Sequence, residues 1–304
     1  MRKFVVAVIM IAVVIAAVAG SSSTAAAQQR GGRGNLSPEE RAQRQAAAER
    51  ALQEELAEPT PIAALDSVWI EELTWMEVRD ALAAGKTTAI IPTGGIEPNG
   101  PWVALGKHNY VLQGACDGIA RELGNALCAP IVKLVPEGNI EEPSGHMRFP
   151  GTISVRAETF HAILDDVASS LRAHGFEHIV FIGDSGGNQR GQAAVAEMLN
   201  ERWGEVVAHH IGEFYNYGDV EAYMENELGV VQPVNDGLHD NFYITSIMMT
   251  VDPTVVRYEQ RVAAGKTLIN GVSITPKEEA IAVGEKLMRF RVEATVKAIN
   301  AAIR

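Results

Sequence analysis

The apolar run Ile179-Val180-Phe181-Ile182 leads directly into the turn Gly183-Asp184-Ser185-Gly186-Gly187 and then Asn188-Gln189. A short apolar run that ends in a glycine-rich turn and continues into a helix pattern is typical of a buried strand in an α/β sheet. Ligands of such sheets bind outside the carboxyl ends of the strands. We therefore expect this turn to lie at the functional edge of a sheet.

Strand and helix patterns alternate on both sides of this turn. The predicted strands are 87–92, 129–135, 177–182 and 206–211, and the predicted helices are 75–84, 110–123, 157–174, 192–203, 243–250 and 278–303. This alternation predicts an α/β fold with a mainly parallel sheet that helices cover on both faces.

The amino terminus has the pattern of a secretory signal peptide, which we assign to residues 1–27. Arg2 and Lys3 precede the apolar stretch 4–19, and three alanines at 25–27 fit a small-residue cleavage site. The apolar part is short for a membrane span, so an uncleaved anchor is the weaker alternative. We expect an exported protein, periplasmic or extracellular, that is free of the membrane after cleavage.

Two further parts follow the signal peptide. Residues 28–61 are predicted to be a flexible stem and a solvated helix that begins at Ser37, and residues 62–304 form one α/β domain. The formal net charge of −12 argues against binding to nucleic acid or to anionic membranes. Cys116 and Cys128 are interpreted as unpaired buried residues, with a disulfide between them as the alternative.

The loop after the first predicted strand carries Glu97, Asn99 and His108 among many glycines and prolines. Such a loop is held in one shape, and an acid and a histidine about a dozen residues apart in it can share one metal ion. The alternative is an ordinary rigid turn with a surface glutamate.

The long loop 136–152 contains His146 and Arg148. A loop of this length in a compact domain is usually functional. His146 could orient a substrate or carry a proton, or it could be bonded to backbone in a purely structural role. Arg148 could bind an anionic group or pin the loop to a carboxylate.

The segment 236–241 contains His239 and Asp240. These residues could supply a metal ligand and a general acid or base. The alternative is helix capping by Asp240 and Asn241, with an incidental histidine.

Taken in order, these segments resemble the creatininase family, the creatinine amidohydrolase-like proteins. The matching motifs are Glu97-Pro98-Asn99-Gly100-Pro101, His146 with Phe149-Pro150-Gly151-Thr152, Gly183-Asp184-Ser185-Gly186-Gly187-Asn188, and His239 onward to Thr245-Ser246. The resemblance implies a three-layer α/β/α creatininase-like fold and a homo-oligomer. It also implies metal-dependent hydrolysis of C–N bonds, often in cyclic amides, at a site that commonly holds two divalent metals.

The departures from the family pattern fall on its metal ligands. Asn99 and Ser185 stand where the family has histidines, His108 stands where it has an aspartate, and Ile244 stands where it has a glutamate. Glu97 is kept. Potential ligands remain at or beside several of the lost positions, which suggests a recast site.

We therefore predict an exported metal-dependent amidohydrolase that acts on a C–N bond of a small, cyclic or open amide and uses Zn²⁺ or Mn²⁺. The predicted metal ligands are Glu97, His108, Asp184 and His239. The predicted catalytic residues are His146, Asp240 and, in a serine mechanism, Ser185. The predicted substrate-binding residues are Asn99, Gly186, Gly187 and Arg148.

Two other functions stay open at this point. Gly183-x-Ser185-x-Gly187 matches the nucleophile elbow of serine hydrolases, with His239 as the base. A trypsin-type enzyme is excluded, because those enzymes are all-β and this chain alternates strands and helices. The second alternative is a small-molecule-binding protein of the same fold that has lost catalysis.

Overall fold

A computed structural model describes residues 36–235, 237 and 239–304. The predicted signal peptide and most of the predicted stem lie outside these residues. The chain divides into two compact units, Met1–Glu58 and Pro59–Arg304. Within the described ranges, no helix combines the length and the apolar character that a membrane span requires.

Helix α1 (Pro38–Ala57) lies in the first unit. The Ser37 hydroxyl accepts a hydrogen bond from the backbone N–H of Glu40, and the Glu40 carboxylate accepts one from the backbone N–H of Ser37. These reciprocal bonds satisfy two of the unpaired donors at the start of the helix. None of the α1 residues is buried, which agrees with the predicted solvated helix.

The second unit is built on a parallel sheet with the strand order β2-β1-β3-β4. Its strands are β1 (Thr88–Thr93), β2 (Ala126–Cys128), β3 (His178–Gly183) and β4 (Ala208–His210). The two central strands pair over their full length, from Thr88 opposite His178 to Thr93 opposite Gly183. The predicted parallel sheet is confirmed.

The predicted strand at 129–135 is wrong. The edge strand β2 is Ala126–Cys128, and the following residues make only isolated bridges, Thr93 with Val132 and Val135 with Ser154. Pro130 has no backbone N–H and cannot continue the ladder, so the regular strand ends just before it. The apolar pattern continues past this point because Ala129 and Val135 are still buried.

Nine α-helices occur in the described residues, and two of them were not predicted from the sequence. They are α1, α2 (Trp75–Ala83), α3 (Lys107–Leu123), α4 (Ala157–Ala173), α5 (Gln189–Trp203), α6 (Tyr217–Asn226), α7 (Phe242–Val251), α8 (Tyr258–Ala263) and α9 (Lys277–Ala302). The sequence did not predict α6, α8 or the small antiparallel pair β5 (Leu268–Ile269) and β6 (Val272–Ser273).

Helices cover the sheet on both faces. Along β3, Val180 and Ile182 pack with α3 and α9, whereas Ile179 and Phe181 pack with α4 and α5. This division follows from the alternation of side chains along a strand, and a strand buried on both faces is apolar throughout. The predicted three-layer α/β/α architecture is confirmed.

Cys116 and Cys128 form a disulfide, so their interpretation as unpaired residues is wrong. The bond joins α3 to β2, and the two Cα atoms lie 6.3 Å apart. Gly124 ends α3 in a left-handed conformation and turns the chain directly into β2. Both cysteines consequently face the same buried cluster at bonding range.

Candidate metal centre

The side chain of Asn188 links the loops that follow the carboxyl ends of β1 and β3. Its side-chain amide donates hydrogen bonds to the carbonyl oxygens of Thr93 (3.1 Å) and Gly94 (2.8 Å). The Gln192 amide donates to the Thr93 hydroxyl at 2.9 Å. These buried bonds fix the base of the site at the sheet edge where α/β proteins bind ligands.

Glu97 lies at the centre of the site. It follows β1, and its side chain is 2 % exposed. Its Oε2 lies 2.9 Å from Nδ1 of His146, and its Oε1 lies 3.0 Å from Nδ1 of His239. One buried carboxylate therefore joins histidines that come from two distant loops.

The two histidines approach Glu97 from the long loop and from the segment before α7. His146 lies on the 3-10 turn Gly145–Arg148, where the Thr152 hydroxyl donates to its carbonyl at 2.9 Å. His239 has a φ of +60°, an uncommon conformation for a residue with a Cβ atom. Its side chain is 46 % exposed, so it lies at the open side of the centre.

The ligand atoms of Glu97, His146 and His239 all lie within 4.8 Å of one another. In the described ranges, these residues form the group of acidic and histidine side chains that could hold a metal ion. Two imidazole nitrogens and one carboxylate oxygen suit Zn²⁺ and also Mn²⁺, and a three-ligand set leaves a coordination position for water or substrate. The donor set therefore fits the predicted metals.

His108 and Asp184, which the sequence predicted as ligands, lie outside this group. The Nε2 atom of His108 lies 2.9 Å from Glu97 Oε1, and its Nδ1 atom lies 2.7 Å from Asp184 Oδ2. Burial and the Lys107 charge lower the pKa of His108, but hydrogen bonds with the two carboxylates outweigh them and the pKa is raised. His108 thus bridges two acids behind the metal group.

Asp184 is fully buried and its carboxylate is surrounded by donors. Arg291 Nη2 donates to Oδ1 at 2.7 Å, and the Tyr217 hydroxyl donates to Oδ2 at 2.6 Å. Burial raises the pKa of Asp184, but the Arg291 charge and the His108 hydrogen bond outweigh it, and the pKa stays below its ordinary value. The sequence missed Arg291, which arrives from α9, more than a hundred residues further along the chain.

Lys107 is a second residue that the sequence missed. The structure begins α3 at Lys107, earlier than the predicted start at about residue 110, and so places Lys107 and His108 on its first turn. The Lys107 Nζ atom donates to Glu97 Oε1 at 3.1 Å. Burial raises the pKa of Glu97, but the His108 and His239 contacts and the Lys107 charge together hold it below its ordinary value.

Glu137 is a third residue that the sequence missed, although it opens the long loop that was singled out. Its Oε2 lies 3.0 Å from Nδ1 of His146. Burial and the Glu97 charge raise the pKa of Glu137 to about 8. A Cβ atom on Gly95 would overlap Glu137 Oε1, so a side chain at this position would force the Glu137 carboxyl to move.

A cavity of about 300 Å³ opens in front of the metal group. It is lined by polar groups on one side and by aromatic rings on the other. Its lining residues are Glu97, Lys107, His108, His146, Ser185, Gly186, Gly187, Tyr215, Tyr217, His239, Asn241, Tyr243 and Ile244. The aromatic residues among them are Tyr215, Tyr217 and Tyr243.

The glycine-rich turn contributes a wall of the cavity. Ser185 lines it together with His239, and among the described residues no hydrogen bond joins the Ser185 hydroxyl to a histidine. Gly186 and Gly187, which were predicted to bind substrate, also line the cavity. The Tyr215 hydroxyl packs against Gly186, where a Cβ atom would come within 3.0 Å of the hydroxyl oxygen.

The remaining predicted site residues lie away from the cavity. Asp240 accepts two hydrogen bonds of 2.8 Å from Arg261 Nη2 and faces a different cavity. Asn99 is buried, and its amide donates to the Glu97 carbonyl at 2.8 Å, so it supports the loop instead of touching the cavity. Arg148 is exposed and does not belong to the cavity lining.

Comparison with known proteins fixes the family. The model of the creatininase family, described as creatinine amidohydrolase, matches residues 71–298. The chain belongs to the creatininase family. The predicted family is thus confirmed, and with it the predicted class, since creatininase-family proteins are metal-dependent hydrolases of C–N bonds.

Individual relatives are distant. The creatinine amidohydrolase of Pseudomonas putida is 25 % identical over 202 residues, which cover 62 % of this chain and 74 % of that protein. A solved structure described as creatininase Mn superposes with a TM-score of 0.58 at 21 % identity, covering 78 % of this chain and 98 % of that one. A mutant creatininase of the Zn-Zn type gives 0.52 at 20 % identity, covering 79 % and 98 %.

These structures confirm the fold, and their descriptions name the two metals that the sequence predicted. The group formed by Glu97, His146 and His239 offers a donor set that suits either of these ions. This group differs from the predicted ligands, because His146 belongs to it and His108 and Asp184 lie behind it.

Proposed function

We propose that this creatininase-family enzyme uses one metal centre, held by Glu97, His146 and His239, to open a C–N bond in a small creatinine-like amide. The observation that carries the proposal is the convergence of these three side chains at the mouth of a cavity of about 300 Å³. A cavity of this size suits a compact metabolite and not a polymer.

The protein supplies the orientation of the ligands. Glu97 and Glu137 are both buried, and the Nδ1 atom of His146 lies 2.9 Å from Glu97 Oε2 and 3.0 Å from Glu137 Oε2. Neighbouring carboxylates of this kind fix the ring orientation of a metal-binding histidine. When bound, Zn²⁺ or Mn²⁺ lowers the pKa of a water molecule and polarises the amide carbonyl. His239, at the open side, limits how a substrate enters.

The aromatic wall favours a flat substrate. Tyr215 and Tyr217 meet edge to face with ring centroids 5.4 Å apart, and Tyr217 and Tyr243 are tilted with centroids 5.6 Å apart. These rings line the same cavity as Glu97, His146 and His239. Flat rings bind well against such surfaces, so a planar cyclic amide fits the space better than a branched aliphatic one.

The direct test is an assay of creatinine ring opening with the full chain. Protein is stripped with a chelator, assayed, and assayed again after addition of Zn²⁺ or Mn²⁺. Activity should disappear on stripping and return with metal, and His239→Ala should lose it while His174→Ala, an exposed histidine outside the centre, should retain it. Full activity after complete metal removal would contradict the proposal.

We also propose that the enzyme works outside the cytoplasm, as a homo-oligomer. The signal-like amino terminus and the Cys116–Cys128 disulfide support export, because disulfides persist in oxidising compartments. Fractionation of the native host, with amino-terminal sequencing of the mature chain, tests the export. A cytoplasmic, uncleaved chain would contradict it.

Size-exclusion chromatography with light scattering tests the proposed homo-oligomer.

A further inference from the structure

Lys107 is a buried lysine with an unusual position. Its side chain is 5 % exposed, and its ammonium group lies 3.1 Å from the Oε1 atom of Glu97. Lysine is almost never fully buried unless it is paired with an acid. Here the paired acid is also a member of the metal group, so a fixed positive charge lies beside a metal ligand.

Groups of the chain already fill the space around Glu97 and Asp184. Lys107 Nζ lies 3.1 Å from Glu97 Oε1, and Arg291 Nη2 lies 2.7 Å from Asp184 Oδ1. The His108 ring lies between the two acids, with Nε2 2.9 Å from Glu97 Oε1 and Nδ1 2.7 Å from Asp184 Oδ2. A second divalent ion between these carboxylates would have to displace these groups, and a lysine or arginine left buried without its acid is strongly unfavourable.

The contacts at the individual oxygen atoms agree with this arrangement. Oε1 of Glu97 is in contact with both Lys107 Nζ and His108 Nε2. Both oxygens of Asp184 accept bonds from protein groups. Glu97 and Asp184 therefore already have Lys107 and Arg291 of the same chain as cationic partners.

We propose that Lys107 serves as a built-in cation that, with the His108 ring beside it, stands in place of a second metal ion and restricts the centre to a single ion. The inference rests on the proposed function, because it takes Glu97, His146 and His239 as the ligands of that ion. Lys107 is thus a positioning residue: it holds the Glu97 carboxylate and partly neutralises it.

The first experiment counts metal without using activity. Full-length protein is stripped with a chelator, dialysed against Zn²⁺ or Mn²⁺, freed of excess metal and analysed by mass spectrometry for metal per chain. The inference predicts one tightly bound ion. Two tightly bound ions would overturn it and leave the metal-dependent function standing, whereas no bound ion would overturn both.

The second experiment changes the built-in cation. Lys107→Met removes the charge beside Glu97, so Zn²⁺ should bind about tenfold more tightly in competition with a chromophoric chelator. Lys107→Arg keeps the charge and should retain the wild-type affinity within about twofold. Lys297→Met, which removes an exposed lysine charge on α9, is the matched control and should not change the affinity.

Circular dichroism verifies that each variant is folded. Unchanged or weaker Zn²⁺ binding by folded Lys107→Met would overturn the role of Lys107. If Lys107→Met does not fold, the metal count of the wild-type protein and the affinity of Lys107→Arg still decide the matter: two ions per chain, or an affinity that Lys107→Arg does not preserve, would count against it.

Discussion

The metal group and the polar network behind it use the same kinds of side chains in opposite ways. In the metal group, Glu97 and two histidines converge at a cavity, and one of the histidines is half-exposed. In the network, Asp184 is fully buried, and both of its oxygens accept hydrogen bonds from Arg291, Tyr217 or His108. Glu97 Oε2 is free of contacts with Lys107 and His108, which both lie at Oε1, whereas both oxygens of Asp184 are already occupied by donors of the chain.

The largest effect should follow loss of the central ligand. Glu97→Gln keeps the size of the side chain but removes its charge, so we expect the metal to be lost and amide opening to fall by about a thousandfold or more, which corresponds to about 4 kcal/mol. Steady-state assays and metal analysis measure both effects. An activity within tenfold of wild type would show that the centre lies elsewhere.

We expect substitutions in the polar network around Asp184 to lower the free energy of unfolding before they lower the catalytic rate. Arg291→Met leaves Asp184 buried without its main cation, and we expect a loss of about 3 to 5 kcal/mol in the free energy of unfolding. Guanidinium denaturation measures it, with Arg289→Met, a change on the same helix beside a surface groove, as the control. If both variants lose the same small amount, the buried pair has no special role.

Loss of a single hydrogen bond in the network should reduce stability less than loss of the Arg291 charge. Tyr217→Phe removes the donor that lies 2.6 Å from Asp184 Oδ2 while keeping the ring in the cavity wall. A hydrogen bond to a charged group contributes about 1.5 to 3 kcal/mol, and we expect a stability loss near the lower figure, because two other donors remain. An unfolding free energy equal to that of wild type would contradict this account of the network.

The smallest effect should come from the serine that resembles a nucleophile. Ser185→Ala removes at most one polar contact with a substrate, so activity should fall by less than about fivefold, or about 1 kcal/mol. The wild-type protein should also not be labelled by a fluorophosphonate probe. Labelling that Ser185→Ala abolishes, together with a thousandfold loss of activity, would restore the serine mechanism.

The sequence was sufficient for the fold because the pattern of burial is local. The run Ile179–Ile182 is apolar throughout, since helices cover both of its faces, and this pattern marks a central parallel strand without further information. The edge strand was misplaced because burial continues after Pro130 while hydrogen-bonded pairing does not.

The site was only partly predictable because it depends on contacts between distant parts of the chain. Glu97 and His239 could be chosen from their motifs. The sequence could not show that Asp184 would be taken by Arg291, 107 residues away, or that His146 would turn towards Glu97. Lys107 lies next to His108 in the sequence, but only the early start of α3 shows that its ammonium group reaches Glu97.

The most direct test of the central claim is the position of the ion in crystals of Zn²⁺-loaded protein, located by anomalous scattering at the zinc edge. We predict one anomalous peak in contact with Glu97, His146 and His239, with the Asp184 network intact behind it. A peak between His108 and Asp184 would contradict the account, because it would place the metal where the protein provides its own cations.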